Sequence, residues 1–276
     1  MTRRSLGARW SGVGFIVPLF LVTLVCFDLP LAMMLLRSVH APRFALDSYA
    51  ELFGTTAYVQ VLVITSRIAL VTTICCVLLG YPLAWWLHRL RPRARIYALA
   101  LVVLPFWVSI LVRCYAWIVL LGNAGLVNRM LLTLGIITVP ISIIYNEFGI
   151  IVGTVNLLLP YFVLPLVAAM MRIDRDLLRA AETMGASETQ VFRAVFLPLT
   201  LPACAAGALL VFILTFGFYV TPALLGGGRV TMVANLLDLL INQMPDWELA
   251  SAIATVLLAL IIVVQALASG LRRRTQ

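Results

Sequence analysis

Residues Met171 to Pro202 read MRIDRDLLRAAETMGASETQVFRAVFLPLTLP, the longest polar interval in a 276-residue chain that is 63% hydrophobic. The apolar runs on either side, 148–171 and 199–225, are each long enough to cross about 30 Å of hydrocarbon as helix. With 11% charged residues and a mean hydropathy of +1.08, the composition is that of a polytopic membrane protein, and the fold expected is all-α. Within the interval, Asp174 to Met184 holds good helix formers, with Leu177, Leu178 and Ala181 on one side. Gly185 follows as a residue that ends a helix in the left-handed region without a Cβ penalty. Ser187, with Gln190 three residues on, reads as a capping box for a second helix, Glu188 to Phe196. Leu197-Pro198 and Leu201-Pro202 are expected to end that helix and turn the chain into the membrane. The product is a compact helix–turn–helix knob, small residues foremost, open to close approach by a partner surface.

Outward from this knob, six spans are expected in one transmembrane domain, 1–276, at about 12–36, 59–87, 96–121, 148–171, 199–225 and 249–267. Thr2-Arg3-Arg4-Ser5 faintly resembles a twin-arginine signal, but the apolar run behind it is too long, so an uncleaved first helix is expected. Phe44 to Tyr49 looks extended. Gly135 and Pro140 cut Gly122 to Tyr145 into pieces too short to cross, which places it on or dipping into the outer interface. Gly226-Gly227-Gly228 breaks the chain before a short amphipathic helix, Val233 to Met244. Those glycines read either as a helix stop or as a hinge for an outer gate.

The chain carries 20 basic residues, all Arg, against 11 acids. Arg3, Arg4, Arg9, Arg89, Arg91, Arg93, Arg95, Arg172, Arg175, Arg179, Arg193 and Arg272 to Arg274 fall on one side of a six-span topology. Only Arg37, Arg43, Arg129 and Arg229 fall on the other. Cytoplasmic loops hold the excess of Arg, so both termini and residues 172–198 are expected in the cytoplasm. The net charge of +9 is thus a topology signal, and no nucleic-acid partner is implied. Cys26, Cys75, Cys76, Cys114 and Cys204 sit in apolar segments without metal-ligand spacing, which favours buried free thiols over disulfides or a metal site. With His40 in an outer loop and His88 in a basic turn, no catalytic cluster is apparent. A P-loop needs a Lys for the nucleotide phosphates and this chain has none, so any ATP and Mg used would be held by a partner chain.

Four ionisable groups fall within the spans. At about 1.5 Å of rise per residue, Asp28 lies roughly 24 Å above Gly12 and Arg113 about 26 Å above Ile96. Arg67 and Glu147 lie toward the same outer half. Each would cost on the order of 3 kcal/mol facing lipid. Asp28 or Glu147 either neutralises Arg67 or Arg113, or stays free to attract a cationic substrate. Trp107, Tyr115, Trp117 and Tyr219 lie near the same height. They read as an interfacial belt or as faces for an alkylammonium; Trp85 and Trp86, at the inner end, read as belt anchors.

Ala180-Ala181, three residues, Gly185, nine residues, Val195, one residue, Leu197-Pro198 resembles the signature of ATP-binding-cassette importer permeases. There the pattern is Glu-Ala-Ala, three residues, Gly, nine residues, Ile, one residue, Leu-Pro. Arg179 replaces the Glu and Val195 the Ile. The resemblance implies that 172–198 is a coupling segment seated on a cytoplasmic ATPase subunit through Ala180, Ala181, Glu182, Gly185, Ala186, Leu197 and Pro198. Leu104-Pro105-Phe106-Trp107-Val108-Ser109, Arg113-Cys114-Tyr115-Ala116-Trp117, Gly125-Leu126-Val127-Asn128, Thr221 to Gly227 and Leu46 to Tyr49 are similar to permeases of spermidine/putrescine importers, the first of their two permease subunits most closely. That implies a type I importer fold in a bacterial inner membrane and a non-catalytic subunit that carries polyamines. A paralogous second permease, ATPase subunits and a periplasmic solute-binding protein are the implied partners, with lipid around the spans. Asp28, Trp107, Tyr115, Trp117, Glu147 and Tyr219 are the expected pathway residues. The alternatives are an importer permease for another small organic solute, or an ion-gradient secondary transporter, which needs no docking knob.

Overall fold

A computed structural model of the chain describes residues 10–39 and 45–274. Thr2-Arg3-Arg4-Ser5, Arg9, His40, Arg43 and Phe44 lie outside the described residues. Every regular element among the described residues is helical, as hydrocarbon demands of a backbone with no water to bond. Six helical stretches among them are long and apolar enough to cross a membrane: Val17–Ser38, Thr56–Arg89, Ile110–Thr133, Glu147–Met171, Glu188–Phe216 and Trp247–Gly270. The chain is a multi-pass membrane protein. It divides into two compact units, residues 1–58 with 237–260, and residues 59–236 with 261–276.

In the first unit, α1 (Trp10–Thr23) continues through a π turn, Leu24–Asp28, into α2 (Leu29–Ser38). α3 (Asp47–Gly54) is a helix where extended chain is expected. Asp47 favours the positive helix start, and Ser48 and Leu52 are buried by the packing. The Tyr49 hydroxyl donates to Ser38 Oγ at 2.9 Å, and the Arg37 guanidinium lies 5.6 Å from the Trp247 ring centroid.

The second unit takes in most of α4 (Thr56–Arg89), then α5 (Pro92–Val103), α6 (Ile110–Leu121), α7 (Leu126–Thr133), α8 (Glu147–Met171), α9 (Arg175–Thr183), α10 (Glu188–Val191), α11 (Leu197–Phe216) and α12 (Val220–Leu225). α13 (Val233–Asp238) and α14 (Trp247–Arg274) run across the division between the units. α8 is the most buried span. Its Phe162 is fully buried and wedged between two glycines. A Cβ on Gly80 of α4 would lie 2.5 Å from Phe162 Cδ1, and one on Gly207 of α11 would lie 2.9 Å from Cδ2. Small residues let helix backbones approach in this way where the hydrophobic effect between spans is absent. A second cluster joins Ile68, Cys114, Ile150, Leu225 and Met232.

Two spans differ from expectation. Residues 96–121 are not one helix: α5 ends in a 3₁₀ turn, Leu104–Trp107, and Val108 and Ser109 are extended before α6 begins. Pro105 has no N–H to continue the ladder. Counting helical rise from Ile96 to Arg113 therefore overstates the height of Arg113. Residues 199–225 are likewise divided, because α11 begins after a helical lead-in from Glu188 and ends at Gly217, with α12 separate. Three π turns share one cause. Leu29, Leu197 and Met244 each donate five residues back, to Leu24, Phe192 and Leu239, and each is followed by a Pro with no N–H to give. The wide turn fits where the next donor is missing.

Gly122 to Ile141 is closed by one side chain. Fully buried Asn128 donates from Nδ2 to the carbonyls of Gly122 at 3.0 Å and Ile141 at 2.9 Å, and its Oδ1 accepts from Ile141 N at 3.0 Å. Asn128→Ala leaves these buried backbone groups unbonded, at a cost of about 1–3 kcal/mol. Limited proteolysis is expected to cut residues 134–146 sooner in the variant than in the native chain.

Candidate functional site

The knob forms as two capped helices. Asp174 caps α9, its Oδ1 accepting from Asp176 N at 2.9 Å. At the other end Ala186 N donates to Ala181 O at 3.1 Å and Gly185 N to Glu182 O at 2.9 Å, the paired bonds of a left-handed helix stop. Gly185 has φ +89°, with nothing within 4 Å of a Cβ placed there. The glycine is thus required by the backbone and not by crowding within the chain. Ser187 and Gln190 close both bonds of the capping box, Ser187 N to Gln190 Oε1 at 2.8 Å and Gln190 N to Ser187 Oγ at 3.4 Å.

Part of the exposed surface of this knob is an apolar stripe. Leu177, Ala180 and Met184 are exposed at helical spacing i, i+3, i+7, and Met184 keeps 88% of its surface free. Ala181 and Ala186 are half-buried, and Glu182 and Gly185 are exposed. Met184 was not among the expected contact residues, although its place beside the helix stop could have marked it. Arg179, standing where the resembled signature has Glu, is exposed and has Asp176 Oδ1 3.5 Å from its Nη1. Leu197 and Pro198 do not end the second helix. The chain stays helical from Glu188 to Phe216, because the π turn Phe192–Phe196 absorbs Pro198.

This turn is stitched to the last turns of α4. Glu188, Phe192, Phe196 and Thr200 recur every four residues, and Tyr81, Trp85, His88 and Arg89 share a face of α4. The rings of Trp85 and Phe192 meet edge-on at 5.8 Å, those of Tyr81 and Phe192 at 6.4 Å, and those of His88 and Phe196 at 5.5 Å. Thr200 donates to Leu197 O at 3.0 Å, leaving its oxygen to accept from the Tyr81 hydroxyl at 2.8 Å. Arg89 pairs with Glu188 and lies 4.3 Å from the Trp85 ring centroid, within cation–π range. A cavity of about 620 Å³ opens beside the ladder, lined by Trp85, Arg89, Leu178, Glu182, Glu188 and Phe192 among others. Trp85, expected as a belt anchor, is here an internal contact. The four-residue recurrence was legible in the sequence; its partner face on α4 was not.

The expected pathway residues are dispersed. Glu147, in the first turn of α8, pairs with Arg67 of α4. Trp107 stands at the break before α6 and is 89% exposed, while Tyr115 and Tyr219 are also exposed. Trp117 is half-buried and packs against the cluster of Ile68 and Cys114. Tyr219 accepts from Asn235 Nδ2 at 3.1 Å through its carbonyl. Asp28, in the first unit, ends the π turn of the first span and is exposed. Tyr145 has φ +63°, donates its N–H to Leu225 O at 2.9 Å, and its ring fills the space a side chain on Gly227 would need. The glycine run is therefore a stop latched to the start of α8.

Comparison with known proteins agrees with this architecture. The chain is 40% identical over 240 residues, 85% of its own length and 83% of the relative's, to the spermidine/putrescine transport system permease protein PotB of Haemophilus influenzae. A solved bacterial ABC transporter involved in the import of the acidic polysaccharide alginate superposes with a TM-score of 0.79 at 18% identity, over 96% of both chains. The same transporter in complex with an alginate pentasaccharide-bound periplasmic protein gives 0.78 at 18% identity, over 96% of this chain and 94% of that one. These two likenesses show the fold, that of an ABC importer permease. Residues 76–276 match the family described as the binding-protein-dependent transport system inner membrane component. The chain belongs to the family of binding-protein-dependent transport system inner membrane components.

Proposed function

We propose that this chain is one permease subunit of an ATP-driven importer of polyamines. It forms half of the translocation pathway in a bacterial inner membrane, with residues 172–198 and both termini in the cytoplasm. The observation that carries the coupling role is the capped knob whose exposed apolar stripe, Leu177, Ala180 and Met184, stands where the family signature lies. The stripe docks on a separate ATPase subunit that holds ATP and Mg, with Ala181, Glu182, Gly185 and Ala186 around it and Leu197-Pro198 passing motion to α11. This chain performs no hydrolysis itself. A second, paralogous permease completes the pathway, and a periplasmic binding protein delivers the substrate. The spermidine/putrescine relative, similar over 85% of this chain, supports polyamine cargo.

The ion pair supports different roles for the two acids. Glu147 is neutralised by Arg67 and holds α4 to α8, whereas Asp28 has no ion pair among the described residues and is the acid we assign to attracting a cationic substrate. Asp28→Asn is expected to raise the polyamine concentration for half-maximal uptake, and Glu147→Gln to leave it unchanged while lowering the amount of folded protein. Uptake kinetics at matched expression separate the two. The function itself is tested with the reconstituted transporter: its ATPase is stimulated by the binding protein loaded with putrescine or spermidine. Equal stimulation by an unloaded binding protein, or stimulation only by another solute, removes the polyamine assignment.

A further inference from the structure

We infer that the last two turns of α4 are a second output of the coupling segment, moved through the Glu188–Arg89–Trp85 clasp and the ring ladder beneath it. This rests on the reading of residues 172–198 as the segment an ATPase moves. The family signature runs through α9, α10 and the start of α11, so motion is expected to pass along the chain into α11. The side chains add another route. Glu188 precedes the π turn, Phe192 and Phe196 lie within it, and all three touch α4 and not only their own helix.

Both sides of the clasp depart from regular helix bonding. Pro82 lies inside α4, so its missing N–H leaves the helix without one bond to the preceding turn. Trp85, His88 and Arg89, which carry three of the contacts, all lie beyond Pro82. On the other side, the π turn Phe192–Phe196 replaces regular helix at the root of α11, a feature at which helices kink and which is frequent at functional sites. The clasp thus joins two segments that each have a weak point behind them. The pair is largely exposed, with 52% of the Arg89 side chain and 77% of Glu188 free. Exposed ion pairs add little to stability, so its loss should be read in coupling and not in folding. Arg89 has two partners, a carboxylate and an aromatic face, which fixes its direction more firmly than an ion pair alone.

The test uses the complete transporter in nanodiscs: both permeases, the ATPase subunits and the binding protein. The readout is ATPase activity with substrate-loaded binding protein divided by basal activity. Arg89→Gln and, separately, Trp85→Leu are expected to co-purify with the ATPase at native yield and keep basal hydrolysis. Their stimulation should fall about fivefold or more, the lower end of the usual range for coupled sites. Arg89→Lys, which keeps a cation for both partners, and the swap Arg89→Glu with Glu188→Arg, which restores the ion pair, should each recover more than the corresponding single change. Native stimulation in both Arg89→Gln and Trp85→Leu overturns the inference and leaves the importer reading intact. A swap no better than Arg89→Glu alone overturns the role of the pair. Absence of stimulation in the native complex removes the importer reading, and this inference with it.

Discussion

Replacing Gly185 by Val is expected to reduce ATP-driven uptake about five- to thirtyfold, because a left-handed residue with a Cβ costs roughly 1–2 kcal/mol and 1.4 kcal/mol is a factor of ten. The residue sits at φ +89° with open space around it, so the penalty falls on the backbone and not on packing. The turn then relaxes, the bonds from Gly185 and Ala186 to Glu182 and Ala181 are lost, and α9 no longer holds its angle to α10. The loss should be graded by left-handed tolerance: Asn mildest, Ala intermediate, Val worst. Uptake by vesicles at matched permease content, with ATPase retention scored alongside, reads this order. An order set by size instead, Ala milder than Asn, would mean that a partner surface is seated directly on this residue.

The second large effect lies in the core. Gly80→Ala and Gly207→Ala each push a methyl into Phe162 from opposite sides. The ring is fully buried and cannot retreat from one helix without striking the other. Overpacking of this kind costs about 1–3 kcal/mol, so each variant should lower the melting temperature of the solubilised protein. Phe162→Leu removes the flat edge that both glycines accommodate. It should itself destabilise, yet recover part of the loss when combined with Gly80→Ala. Residues in direct contact depart from additivity by about 0.5–3 kcal/mol, and that departure is the signature sought. Strict additivity would show that the ring is not clamped between α4 and α11.

The helical class and the six apolar runs were legible because hydropathy is a property of composition along the chain. The knob was legible as well: Gly185, Ser187 and Gln190 are local signals, each acting within a few residues. What escaped were features set by side chains far apart in sequence. Pro105 and Gly217 stood in plain view, but an apolar run hides a break when only its length is counted. Pro198 reads locally as a stop, and the chain instead absorbs it in a π turn. Of the four intramembrane charges, the pairing of Arg67 with Glu147 needed the approach of α4 to α8, 80 residues apart. Trp85 reads as an interfacial anchor because nothing local announces that Phe192 and Arg89 will meet it.

The most direct measurement of the central claim is purification of the tagged, full-length chain from native membranes in mild detergent, followed by identification of its companions and assay of ATP hydrolysis. The account predicts a stoichiometric ATPase subunit bearing a phosphate-binding Lys, hydrolysis that follows that subunit, and loss of both on Met184→Glu, which places a charge in the exposed apolar stripe. Uptake that proceeds on an ion gradient, with no ATPase retained and no effect of Met184→Glu, would contradict it.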